Sequence, residues 1–413
     1  MLIGLVEPVD WPGLSVYWTD TVSMMRNVVR RARSFWVLVL ILAGLCGSIT
    51  AQESPFTPHA RTEFELEAYR DIGAEPDLSA RLDLTESFLI RYPNSELRHL
   101  VMRARWNVFI SLGEPAGVLG IAETALEEEE GFFQLKRSLL EDEGPNSGLY
   151  EAQLRHDRIR VSYYQSLTEA HSRQGNLRDA VQYADVGLSV QADVWSRLAE
   201  ASSSSDAPTE SELTEHQGLT AFFLRNLIVA HDGLGNVSEV IEHGERLLEQ
   251  EPQDLFTLMT LSRVIAESSV SNQGGRVGGG PTGEVYALRA VEELDLLIDG
   301  GSIPPVQVER LVSTVHSTLG LTYFLDRRYT DAVSEFRISL EGVPRDAVVY
   351  YRLGLAYAIG GQVDEALSAL ARAVYLNYPR AEARDSLIRI YEERHGGLDQ
   401  MEAFIDSEGQ ALR

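Results

Sequence analysis

From about residue 60 onward, apolar residues recur at three- and four-residue spacing, the pattern of helices that bury one face. Residues 78–89 and 221–230 are apolar along one side, and further helices are expected over 255–268, 284–298 and 398–412. Tyr92-Pro93 ends one such stretch, with Asn94 and Ser95 placed to cap the next. Strict alternation of apolar and polar residues, which a half-buried strand needs, is missing. The pattern predicts an all-α chain of short helices and tight turns.

The helices repeat. Counting from Ser313, Leu319, Gly320, Tyr323, Ala332, Phe336, Ser339 and Pro344 take positions 7, 8, 11, 20, 24, 27 and 32 of a 34-residue unit. Counting from Ala347, Tyr350, Leu353, Gly354, Tyr357, Ala366, Leu370 and Ala373 take positions 4, 7, 8, 11, 20, 24 and 27, with Pro379 one place late. Small residues at 8, 20 and 27 let two helices approach, bulky ones fill the space between, and proline stops the second helix. A third start at Ala381 keeps Leu387 and Tyr391, turns at 395–397 and ends in a polar helix, which reads as a cap. Upstream the signal is looser: Tyr164, Leu167, Gly175, Ala180 and Gly187 in one unit, Leu227, Gly235 and Pro252 in another, Gly113, Ala122 and Ala125 in a third.

These residues resemble the tetratricopeptide repeat (TPR) superfamily, strongly over 313–379 and loosely over nearly all of 60–412. The resemblance implies a right-handed superhelical solenoid of antiparallel helix pairs that binds a peptide or helix in its concave groove and catalyses nothing. Carried over residue by residue, it nominates Leu321, Phe324, Leu325, Tyr351, Arg352, Leu355 and Arg389 as groove residues. The TPR subgroup that grips a C-terminal carboxylate needs lysine, asparagine and arginine at set places. Ser317 and Leu321 stand at two of these, so that ligand is not implied.

Two low-complexity stretches divide the array. Residues 52–200 form an N-terminal group of hairpins, then comes a Ser-rich linker at 201–212, and 213–413 form the C-terminal array, with a Gly-rich loop at 269–283 and capping helices at 381–412. The loop carries Gly278, Gly280 and Gly283 at dinucleotide-fingerprint spacing but comes after a helix, and Pro281 stands where a phosphate-binding lysine belongs; no cofactor is implied. A solute- or glycan-binding component using these loops is the alternative reading.

Residues 1–51 read as an extension and secretory signal peptide: Arg26, Arg30, Arg31 and Arg33, an apolar run from Phe35 to Cys46, then small residues to Ala51. The run is shorter than the roughly 20 residues that span a bilayer, which favours cleavage over a permanent anchor. Leu45 before Cys46 disfavours lipid attachment, and Met24 or Met25 is the expected start. The arginines place the chain beyond Ala51 across the membrane, in the periplasm or cell envelope, with other envelope proteins as partners and membrane contact only through an uncleaved N-terminal segment.

Composition narrows the chemistry. Sixty-two acidic against 36 basic residues give a net charge of −26, which repels nucleic acid. Lys136 is the one lysine and Cys46 the one cysteine, so thiolate chemistry is excluded from the helical body. His171, His231 and His316 fall at repeat positions that pack inside a hairpin, no zinc or nucleophile-elbow motif occurs, and the run Glu127–Glu130 reads as a solvated helix end. Neither a catalytic residue nor a metal ligand is nominated.

Overall fold

Local caps set where helices begin. Thr62, Asp77 and Asp346 each accept N–H bonds from the first turn of the next helix, and Thr209 forms a reciprocal capping box with Glu212. Each such cap satisfies donors the helix leaves open. The computed structural model describes residues 56–140, 148–201, 208–271 and 282–412. The signal peptide, the expected start at Met24 or Met25, residues 202–207 of the Ser-rich linker and most of the Gly-rich loop lie outside them.

Among the described residues there are sixteen helices and no strand. The first eight are α1 (Glu63–Ala74), α2 (Leu78–Arg91), α3 (Arg98–Leu112), α4 (Pro115–Leu140), α5 (Leu149–Gln174), α6 (Leu177–Ala201), α7 (Glu210–Leu234) and α8 (Val237–Gln250). The other eight are α9 (Leu255–Ser271), α10 (Gly283–Asp299), α11 (Pro305–Leu325), α12 (Tyr329–Gly342), α13 (Ala347–Ile359), α14 (Val363–Tyr375), α15 (Glu382–His395) and α16 (Met401–Gln410). The fold is the all-α, TPR-like array of helix pairs that the sequence predicts.

The chain divides into two compact units, one closing at Thr257 and one opening at Leu258. In the first, each helix packs on the next, and first helices also touch across pairs, α1 with α3 and α5 with α7. Its cores gather Ile72, Phe88 and Val101 at one place and Trp106, Tyr163, Leu167 and Phe223 at another.

In the second unit α12 starts at Tyr329 and α14 at Val363, one repeat apart, and both come after three-residue turns. Helices that pack together across such turns must run antiparallel. Ala332, Phe336, Ser339, Ala366, Leu370 and Ala373 are fully buried. A Cβ on Gly320 would lie 2.8 Å from the Phe336 ring, and one on Gly354 would lie 2.7 Å from Leu370 Cγ, so only glycine lets each pair close.

Three details differ from the sequence-based expectation. Ser95 does not cap a helix directly: its Oγ accepts from Leu97 N at 2.9 Å, and α3 starts at Arg98. Helix α11 begins at Pro305, well before Ser313, because proline suits a first helical position. The Glu127–Glu130 run is not a helix end and is solvated only in part: it lies inside the 26-residue α4, with Glu127 exposed and Glu129 buried. There Glu128 pairs with Arg98 at 2.7 Å, Glu129 with Arg103 at 2.5 Å and Glu130 with His156 Nε2 at 2.9 Å, tying α3 and α5 to α4.

Candidate partner-binding site

The face nominated by the sequence is built on the first helices α11, α13 and α15. Leu321, Tyr351 and Arg352 are buried, whereas Phe324, Leu325, Leu355 and Arg389 are half-buried. Phe324 and Leu355 rest on one core cluster that also contains Tyr351. The Tyr351 ring lies 4.5 Å from that of Tyr378, and burial pushes its hydroxyl up to about 12. Arg352 donates to Ser317 Oγ at 3.3 Å. Burial pulls its guanidinium below the usual value, against the opposing pull of Glu267 and Asp346. The three buried residues therefore form a base, and the four half-buried ones are what a partner would meet. The carboxylate-clamp position at Ser317 is engaged by Arg352.

The three repeat-position histidines sit in packing roles. His171 stacks on Tyr183 at 5.2 Å, His231 faces His243 at 5.4 Å, and His316 Nδ1 lies 2.7 Å from Glu335 Oε2. Among the described residues no group of three or more histidine, cysteine, aspartate or glutamate side chains is arranged to hold a metal ion.

A feature that the sequence does not announce lies elsewhere in the second unit. Helices α12 and α14 flank a cleft of about 570 Å³ floored by α13. Tyr350 and Tyr357 form its floor, with Arg337 and Glu341 on one wall and Glu365 and Arg372 on the other. None of the seven nominated residues lines it. The tyrosines are visible in the sequence at positions 4 and 11, but signature positions read as hairpin packing; Tyr350 is indeed buried, while Tyr357 is half-buried.

No family model matches the chain, and no curated protein matches it. Among solved structures it is similar to a tetratricopeptide repeat protein from Parabacteroides merdae, at 12% identity over 76% of this chain and 98% of that one, with a TM-score of 0.38. It is similar to the TPR protein TTC0263 of Thermus thermophilus, at 18% identity over 54% and 98%, with a TM-score of 0.33. It is also similar to residues 41 to the end of MamA from Desulfovibrio magneticus, at 17% identity over 46% and 93%, with a TM-score of 0.32. What makes the fold of this chain TPR-like is its own 34-residue register and the glycine-mediated closure of its hairpins.

Proposed function

We propose that this protein is a non-enzymatic scaffold that holds a partner polypeptide against the first-helix face of its second unit, and that it does so in the bacterial cell envelope. The observation that supports the reading is the half-buried set Phe324, Leu325, Leu355 and Arg389 over a fixed base of Leu321, Tyr351 and Arg352. Apolar side chains already held in place lose little freedom on binding, and an amphipathic helix or an apolar extended peptide meets such a face well. The single half-buried arginine adds register more than affinity.

Two measurements test the two halves of this proposal. Added protease should degrade the protein in cells whose outer membrane has been opened but whose inner membrane is intact; full protection there would place it in the cytoplasm. Envelope proteins captured by the unaltered chain should be lost with Leu355→Asp combined with Arg389→Glu, substitutions that leave the buried base in place. Equal capture by both would move the contact to another face or to the loops, where the solute-binding alternative belongs.

A further inference from the structure

The two successive repeats of the second unit treat their position-11 tyrosine differently. In the first, the Arg328 guanidinium lies 4.1 Å from the centre of the Tyr323 ring. It is held there by Asp331 at 2.7 Å and Glu284 at 2.6 Å. This is a complete clamp: an aromatic face, a cation and carboxylates. One repeat later the tyrosine is Tyr357 and the carboxylate at the Asp331 position is Glu365, but the place of Arg328 is taken by Gln362, which carries no charge. Tyr357 and Glu365 both line the cleft between α12 and α14. Among the described residues Glu365 makes no ion pair and no cation covers Tyr357.

We propose that this cleft is a second binding site, separate from the first-helix face, and that it takes a cationic side chain, arginine or lysine, from a partner polypeptide. The incoming cation stands where Arg328 stands in the preceding repeat, over Tyr357 and against Glu365. The cleft is open to solvent and, at about 570 Å³, has room for one basic side chain. Its other charges agree. Arg372, 5.8 Å from the centre of the Tyr350 ring, is neutralised by Glu408 at 2.9 Å, and Asp364 is held by Arg394 at 3.1 Å. That leaves Glu341 and Glu365 as carboxylates for the ligand. Arg337, exposed on the wall of α12, suits a backbone carbonyl or carboxylate beside the basic side chain, which a polypeptide offers and a free polyamine does not. The strongly acidic chain attracts such a partner from a distance.

The test uses the full chain with ring-labelled tyrosine, the Tyr357 resonance being assigned by its loss in Tyr357→Phe. The probes are the acetylated, amidated tripeptide Gly-Arg-Gly, the same peptide with norleucine for arginine, and spermidine. The arginine peptide should move the Tyr357 resonance saturably and the norleucine peptide should not. Glu365→Gln should raise the midpoint about tenfold, the loss of one charge-assisted contact. Gln362→Arg supplies, beside Glu365, the internal cation that Arg328 provides in the preceding repeat, so it should abolish the response while the thermal melt stays unchanged. The proposal is overturned if the norleucine peptide acts equally, if Gln362→Arg or Glu365→Gln leaves the midpoint where it was, if spermidine binds as well as the peptide, or if no probe moves the resonance.

Discussion

Arg327 has φ of 64°, the left-handed region, while Gly361, one repeat later at the same turn, has φ of 80°. A side chain in that conformation costs about 1–2 kcal/mol, part of which glycine returns through its freer unfolded state. Arg327→Gly is therefore expected to stabilise the second unit by about 1 kcal/mol in a urea titration. At Gly354 the expectation is reversed: Gly354→Val forces a branched side chain onto Leu370 and should cost about 3 kcal/mol. His99 sets a pH dependence in the first unit. Its ring stacks on Phe132 at 3.9 Å, and its Nδ1–H donates to Glu96 O at 2.8 Å. Burial, reinforced by Arg103 and opposed by Glu129, lowers it to about 4. An unfolded histidine titrates near 6.5, so between those values the unfolded chain binds the extra proton and stability falls as pH falls. The loss from His99 is on the order of 3 kcal/mol, complete near pH 4, and burial of His156 and His243 adds in the same direction. Urea unfolding followed by tryptophan fluorescence, to which Trp106 and Trp195 of the first unit contribute, should show this slope, and His99→Phe should flatten part of it; an unchanged slope would remove His99 from the account.

At the scale of elements, helix length decides what the sequence shows. In the second unit α12, α13 and α14 are 14, 13 and 13 residues long, so signature positions recur at a fixed interval and the hairpins are legible in the sequence alone. In the first unit α4 to α7 run 25 or 26 residues. The same helix-pair packing then spreads over a longer and irregular interval, and the repeat dissolves although the hairpins remain. The same length hides the role of the glutamate run. If α4 ended near Glu130, four charges would sit at a terminus, whereas the longer α4 carries three of them, Glu128, Glu129 and Glu130, against two helices bearing Arg98, Arg103 and His156. Glu129 is buried and its partner Arg103 is partly exposed, so Glu129→Gln should cost about 2 kcal/mol, below the figure for a fully buried pair. A cost near zero would return the run to a solvated face.

For each unit as a whole, stability comes from stacking. One core cluster in the second unit draws on helices from α10 to α16, including Ala287, Phe336, Leu370, Tyr391 and Ile405. The hairpins from α11 to α16 share this cluster, so Leu370→Ala should remove about 3 kcal/mol and raise hydrogen exchange across α11 to α16 together. Exchange confined to α13 and α14 would show hairpins that fold separately. The nominated face is only half legible in the sequence: the repeat register places the seven residues on first helices, but depth depends on what packs behind each helix, and this puts Tyr351 and Arg352 inside and leaves Phe324 and Leu355 half-buried. The cleft between α12 and α14 is not legible as a site, because the missing cation at Gln362 gains meaning only beside the filled clamp at Arg328. The central claim, a scaffold that holds polypeptide on its first-helix face, is tested most directly by placing a photo-crosslinking amino acid at Phe324 and at Leu355 in the full chain in its own cells, with exposed Ser334 on α12 as the control. The account predicts a discrete polypeptide adduct from both positions and none from the control. No adduct, or the same adducts from all three, would contradict it.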